Sequence, residues 1–212
     1  MKVLVANRGE IAIRIIRAAA ELHIPTVAVS PRDDSGSLHT GKSDEAVILE
    51  GTGTAAYLDI PQLITVARES GCDAIHPGYG FLAENADFAR RCTEEGLTFI
   101  GPRVDTLELF GDKARARLAA TAAGVAVPLG LDHVVSPEEA AAFFDEIGGG
   151  RPRGRRSGEG RGMMIKAVGG GGGRGSRVVE SADAVAATYE RCRAEAQAAF
   201  GNGDLYVEEF IQ

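Results

Sequence analysis

Tryptophan is missing from this chain of 212 residues, and aromatic residues make up only 6% of it. Glycine, with 28 residues, and alanine are plentiful instead. Small residues let helices sit close on a sheet, which argues against an all-β sandwich. Cysteine is nearly as scarce. Cys72, Cys92 and Cys192 lie far apart, with no CxxC pair and no Cys/His metal spacing. That excludes a disulfide framework or zinc module and points to reduced thiols in a cytoplasmic protein. Long apolar runs are absent, since Val3-Leu-Val-Ala6 is too short to span a bilayer. A strand beginning almost at Met1 leaves no room for a targeting presequence. Positive charge is in deficit: 23 Lys and Arg stand against 30 Asp and Glu, a net charge of −7. Wholesale nucleic-acid binding is excluded on that ground, and a phosphate ligand would need cations concentrated locally. No Gly-x-Ser-x-Gly elbow supports Ser/His/Asp catalysis.

What is present alternates. Residues 2–6 form a short apolar run that reads as a buried parallel strand, ended by Asn7-Arg-Gly9. Residues 10–22 read as a helix with Ile11, Ile15, Ala19 and Leu22 on one face, and Arg14, Arg17 and Glu21 on another. Residues 25–29 complete a βαβ unit. Strands at 46–49, 73–76 and 98–100 and helices at 60–70 and 85–95 continue the pattern. Residues 1–101 therefore read as one doubly wound α/β domain. Two short helices, 106–110 and 113–123, fill a helical linker over 102–128. A smaller α+β region follows at 129–207. It has a helix at 137–147 capped by Ser136, strands at 163–166 and 177–180, a helix at 182–200 and a last strand at 205–211. The stretch from Gly148 to Gly162 holds no hydrophobic residue but the sequence GGGRPRGRRSGEGRG, expected to be a basic, solvated surface loop.

The segment with the most chemistry is Lys166-Ala-Val-Gly-Gly-Gly-Gly-Gly-Arg-Gly175. Successive glycines cost conformational entropy but offer bare backbone N–H groups to a polyphosphate. Lying between two hydrophobic strands, the run suits a flap, with Lys166 as a point charge beside it. It is neither a Walker A loop nor a dinucleotide turn, because no Gly-Lys-[Ser/Thr] follows and it leads to a strand. Lys113 opens a helix where it opposes the dipole, so stability does not explain it. In Glu208-Glu-Phe-Ile211 alternation separates Glu208 from Glu209, and one carboxylate or a backbone carbonyl can face an adenine amino group. Asn7-Arg-Gly-Glu10 occupies the first strand-to-helix turn, where open α/β sheets bind ligands. His76-Pro-Gly-Tyr-Gly-Phe81, with Glu84 and Asn85, crowds polar groups at a second such turn.

Taken in order and spacing, residues 5–12, 74–85, 99–102, 111–113 and 166–175 resemble biotin carboxylase, the ATP-grasp component of acetyl-CoA, propionyl-CoA, pyruvate and urea carboxylases. The resemblance covers nearly the whole chain apart from the basic stretch. It implies a Rossmann-like domain before a small ATP-grasp lid, with 208–212 starting the ATP-grasp core. It implies a ligase in which ATP phosphorylates bicarbonate, with Mg2+ on the phosphates, and biotin on a carrier domain is carboxylated and handed to a carboxyltransferase. Lys113 and Lys166 match the lysines that hold phosphate, Gly172 and Gly173 the flap, and Glu208, Glu209 and Ile211 the adenine hinge. His76, Tyr79, Gly80, Glu84 and Asn85 match the biotin and bicarbonate side of the cleft, and Arg17 and Glu21 a homodimer interface. Ser176 departs from the usual Met near the adenine, so its nucleotide contact is looser. The family's catalytic and metal-binding groups fall beyond Gln212, so the chain is expected to lack activity on its own. Two other readings stay open: another ATP-grasp ligase of the carbamoyl-phosphate synthase type, and a non-catalytic nucleotide-binding or assembly module. The paired motifs Asn7–Glu10 and His76–Asn85 argue against the first.

Overall fold

The structure, a computed structural model, describes residues 1–148, 162–169 and 175–211. They fall into two compact units, Met1–Glu108 and Leu109–Gln212.

In the first unit the short apolar runs become an all-parallel sheet. Its strands are β1 (Val3–Val5), β2 (Thr26–Pro31), β3 (Glu45–Leu49), β4 (Ala74–His76) and β5 (Thr98–Phe99), in the order β3-β2-β1-β4-β5. The order reverses between β1 and β4, which places their carboxyl-end turns side by side, with Val5 opposite His76. Alternation sends Leu4, Val27, Val29 and Ile75 to one face, against Leu63 and Ala67 of α3 (Ile60–Glu69) and Phe88 and Cys92 of α4 (Ala86–Glu94). Val5 and Ala28 go to the other face and meet Ala12 and Ile16 of α1 (Gly9–Glu21).

The stripe expected on α1 is rotated. Ala12, Ile16 and Ala19 are its buried residues, while Leu22 is 69% exposed. The helix ends at Glu21 and the chain turns at His23, with φ at 56°, so Leu22 caps the helix instead of continuing its face. Ile11 and Ile15 border an apolar groove of about 530 Å³ that Met1, Val3, Ile24 and Ile100 also line. Two short elements escaped the patterning: a helix, α2, at Gly53–Ala56 and a 3-10 turn at Arg32–Asp34. The last helix of this stretch, α5 (Val104–Gly111), carries buried Leu107.

The second unit is built on an antiparallel sheet of β7 (Ser176–Val179), β6 (Gly162–Ala167) and β8 (Leu205–Phe210), in that order. One face of β6 and β8 buries Met163, Ile165, Leu205 and Val207. Phe143 and Phe144 of α7 (Pro137–Glu146) and Tyr189, Cys192 and Ala196 of α8 (Val185–Phe200) cover that face. Alternation then puts Met164, Lys166, Tyr206 and Glu208 on the opposite face. Helix α7 starts as expected, with Ser136 and Glu139 forming a capping box. Helix α6 (Lys113–Ala122) is capped by Asp112, which accepts from Ala114 and Arg115 N–H. At the far end of α8, Gly201 adopts the left-handed φ of 71° that stops a helix. Of the basic stretch, only its end residues Gly148 and Gly162 fall within the described residues.

Candidate functional site

In the first unit the candidate residues gather on the turns after β1 and β4. Asn7 is 2% exposed, and its amide donates to the carbonyls of Pro77 (2.6 Å) and Tyr79 (2.9 Å). Its side-chain oxygen accepts from Arg8 N–H at 2.8 Å. One asparagine thus ties the two turns together. His76 Nδ1 accepts from Gly78 N–H at 3.0 Å, which leaves the ring proton on Nε2. Burial pushes the His76 pKa down, so the ring is neutral at pH 7. Tyr79 is exposed, and its hydroxyl donates to Glu10 at 2.9 Å. That hydrogen bond raises the Tyr79 pKa. Gly80 takes φ at 65° and Glu84 is exposed. Asn85 has a structural task, since it caps α4 by accepting from Phe88 N–H at 2.8 Å.

Beside this turn sits a group that patterning did not single out. Arg8 grips Asp34 with two hydrogen bonds, 2.7 and 2.8 Å, and Tyr57 donates to the same carboxylate at 2.7 Å. Ser37 adds a further hydrogen bond. Held chiefly by Arg8, the Asp34 carboxyl lies well below the usual carboxylate range. Its place depends on the 3-10 turn at Arg32–Asp34, for which the sequence carries no periodic signal.

In the second unit the charged candidates share the face of the sheet opposite α7 and α8. Lys113, at the start of α6, donates to the carbonyls of Ala167 (3.3 Å) and Val168 (3.1 Å). These are the last residues before the glycine run. Lys166 forms an ion pair with Glu208, whose side chain is 14% exposed. Ser176 is the register partner of Lys166 across β6 and β7. The backbone N–H of Glu209 donates to Leu129 O at 2.7 Å, and Ile211 is 67% exposed just past β8. Gly172 and Gly173 lie outside the described residues. The sequence reading missed Arg117, which lies 3.7 Å from the Glu208 carboxylate and donates to Pro128 O at 2.8 Å. Its spacing of four residues from Lys113 on one helix was the available signal. Among the described residues no three of His, Cys, Asp and Glu converge as a metal-binding set. No described helix is long and apolar enough to cross a membrane.

Comparison with known proteins follows the division into units. The family described as biotin carboxylase, N-terminal domain, matches residues 1–107. The family described as carbamoyl-phosphate synthase L chain, ATP binding domain, matches residues 112–212. The pyruvate carboxylase of Bacillus subtilis is 51% identical over 214 aligned positions, covering 100% of this chain and 18% of that protein. The chloroplastic biotin carboxylase of Arabidopsis thaliana is 44% identical, with 100% of this chain and 37% of the relative covered. Among solved structures, the biotin carboxylase domain dimer of the Hydrogenobacter thermophilus 2-oxoglutarate carboxylase, in complex with MgADP, ADP and bicarbonate, superposes with a TM-score of 0.90. It is 44% identical, over 100% of this chain and 44% of its own. Biotin carboxylase from Campylobacter jejuni follows, with a TM-score of 0.89 at 36% identity over 100% of this chain and 45% of its own. The chain spans less than half the length of these proteins. Its motifs, parallel sheet and family match over residues 1–107 agree, and the chain belongs to the biotin carboxylase family.

Proposed function

We propose that the chain is the front portion of a biotin carboxylase and that its second unit binds ATP. The observation that carries this is the seat of Lys113. Its ammonium is anchored on the carbonyls of Ala167 and Val168 at the entrance to the glycine run, and Lys166 is the next-to-last residue of the strand that leads there. A polyphosphate entering there would meet the ammonium groups of Lys113 and Lys166, charge of the sign that anion binding needs. Gly172 and Gly173 supply the flap, Ser176 lines it, and Glu208, Glu209 and Ile211 form the adenine hinge. His76, Tyr79, Gly80, Glu84 and Asn85 belong to the biotin and bicarbonate side, a role supported by the exposed Tyr79 ring and the neutral His76.

The reaction of the whole enzyme is ATP- and bicarbonate-dependent carboxylation of biotin on a carrier domain, with transfer onward by a carboxyltransferase. Mg2+ does not fit the described residues of this chain. Glu208, the carboxylate beside Lys166, is paired with that lysine and with Arg117, and no metal-binding cluster surrounds it. Homodimerisation through α1 is supported by the exposure of Arg17 and Glu21, and a cytoplasmic setting by the buried free thiols.

Calorimetric titration of the chain with ATP and Mg2+ tests the reading. Submillimolar affinity is expected, weakened about tenfold or more by Lys113→Met or Lys166→Met, the scale of a lost charge-assisted hydrogen bond. An unsubstituted chain with no affinity for ATP sinks the reading and favours a non-catalytic assembly module.

A further inference from the structure

We infer that Arg117 is a positioning residue that keeps Glu208 neutralised and so frees Lys166 for a phosphate; the inference rests on the ATP-binding reading above. In the described structure the Lys166 ammonium is committed to a carboxylate and not to an anion site. Glu208 is 14% exposed, and Lys166 is 29% exposed. If Lys166 turned to a phosphate and nothing replaced it, Glu208 would be left as a poorly solvated, unpaired charge. That is the costly way to break a partly buried ion pair.

Arg117 removes this cost. Its guanidinium approaches the second Glu208 oxygen at 3.7 Å, while Lys166 holds the first. It is 15% exposed and is always charged. A hydrogen bond to Pro128 O at 2.8 Å fixes its far end. A glycine clears the slot it occupies. A Cβ on Gly130 would stand 3.0 Å from Arg117 Nη2 and 2.8 Å from Val207 O. Arg117 and Lys113 lie one turn apart on α6, so one helix supplies both the lysine at the glycine run and the cation for Glu208. When Lys166 leaves, the guanidinium closes on the carboxylate it already faces, and the exchange proceeds without a stranded charge.

The full chain with Arg117→Met, Arg117→Lys, Lys166→Met and Glu208→Gln, alone and combined, provides the test. Arg117→Met is expected to weaken Mg2+–ATP binding about tenfold, the scale of one unpaired, partly buried charge, and Arg117→Lys to restore most of it. In a Glu208→Gln background the same Arg117→Met change is expected to do almost nothing, because no carboxylate then needs a partner. Stability of the ligand-free chain gives a second reading that needs no nucleotide. Arg117→Met and Lys166→Met each leave Glu208 one cation, so their combination is expected to cost more than the sum of the two. Glu208→Gln is expected to abolish that excess. Additive stability costs, or an affinity loss that persists in the Glu208→Gln background, overturn the inference while ATP binding by the unsubstituted chain stands. Absence of ATP binding by the unsubstituted chain overturns the reading of the previous subsection and the release of Lys166 with it.

Discussion

Gly78 and Asn7 lie so close that a methyl group on the glycine would stand 2.6 Å from the asparagine side-chain nitrogen. The backbone at Gly78 is also left-handed, with φ at 69°. Gly78→Ala therefore meets both a strained conformation and a collision, and about 2–4 kcal/mol of stability is expected to be lost. Asn7→Ala should cost about 2 kcal/mol by leaving two carbonyls of the neighbouring turn without their donor. Urea denaturation of the two variants checks both figures, and losses under about 0.5 kcal/mol would show that the turns are not tied in this way.

Acid should erase the contribution of Asp34. Its folded pKa is lowered, chiefly by hydrogen bonds from Arg8, so the pair stabilises the fold above the unfolded carboxyl value of about 3.9. That contribution fades as pH drops from there toward the folded value. Arg8 is 45% exposed, so solvent screening limits the effect to about 1 kcal/mol at pH 7. The stability gap between the chain and its Asp34→Asn variant is expected to narrow between about pH 4 and pH 2. A gap that stays constant over that range contradicts the pairing.

His76 should titrate below the ordinary histidine value of about 6.5, since burial disfavours the imidazolium. A lowered folded pKa means that its contribution is complete above the unfolded value and is lost as pH falls. Ring proton shifts in a pH series measure the midpoint. A midpoint above the ordinary value would show that His76 gains a carboxylate partner and is not buried neutral.

The three cysteines should be inert in the folded chain. Burial pushes Cys72 to about 11 and Cys92 to about 12, and Cys192 is also raised. Little thiolate is then present at pH 8, where a thiol-specific disulfide reagent is normally used. Full labelling is expected only in denaturant, and labelling of the native chain at the unfolded rate would refute the assignment.

How far the sequence alone reaches depends on the range of the signal. Val3-Leu-Val5 and Gly201 act through their own neighbours, so strands and helix stops are legible to within a residue or two. The face of α1 is less legible. Ile11, Ile15, Ala19 and Leu22 fit a stripe, but only the turn at His23 decides that Leu22 stays outside. The turns after β1 and β4 announce themselves through glycine and proline, whereas the Asn7 tie between them does not. Arg117 is the clearest case of what stays hidden. Its meaning lies in Glu208, on a strand far along the chain, and the spacing from Lys113 on α6 places it on the same face without saying what it meets.

The pairing of β6 with β8 also sets the order in which the chain can fold as it is synthesised. The parallel sheet of the first unit closes with Phe99, and none of its strands extends beyond that residue. The second unit is different, because its central strand, Gly162–Ala167, needs Leu205–Phe210 as a partner. Emerging from the ribosome, the first sheet can fold at once, while β6 must wait through the whole of α8 with one edge open. A chain ending at residue 204 is therefore expected to fold its first unit and leave the second without the partner strand of β6.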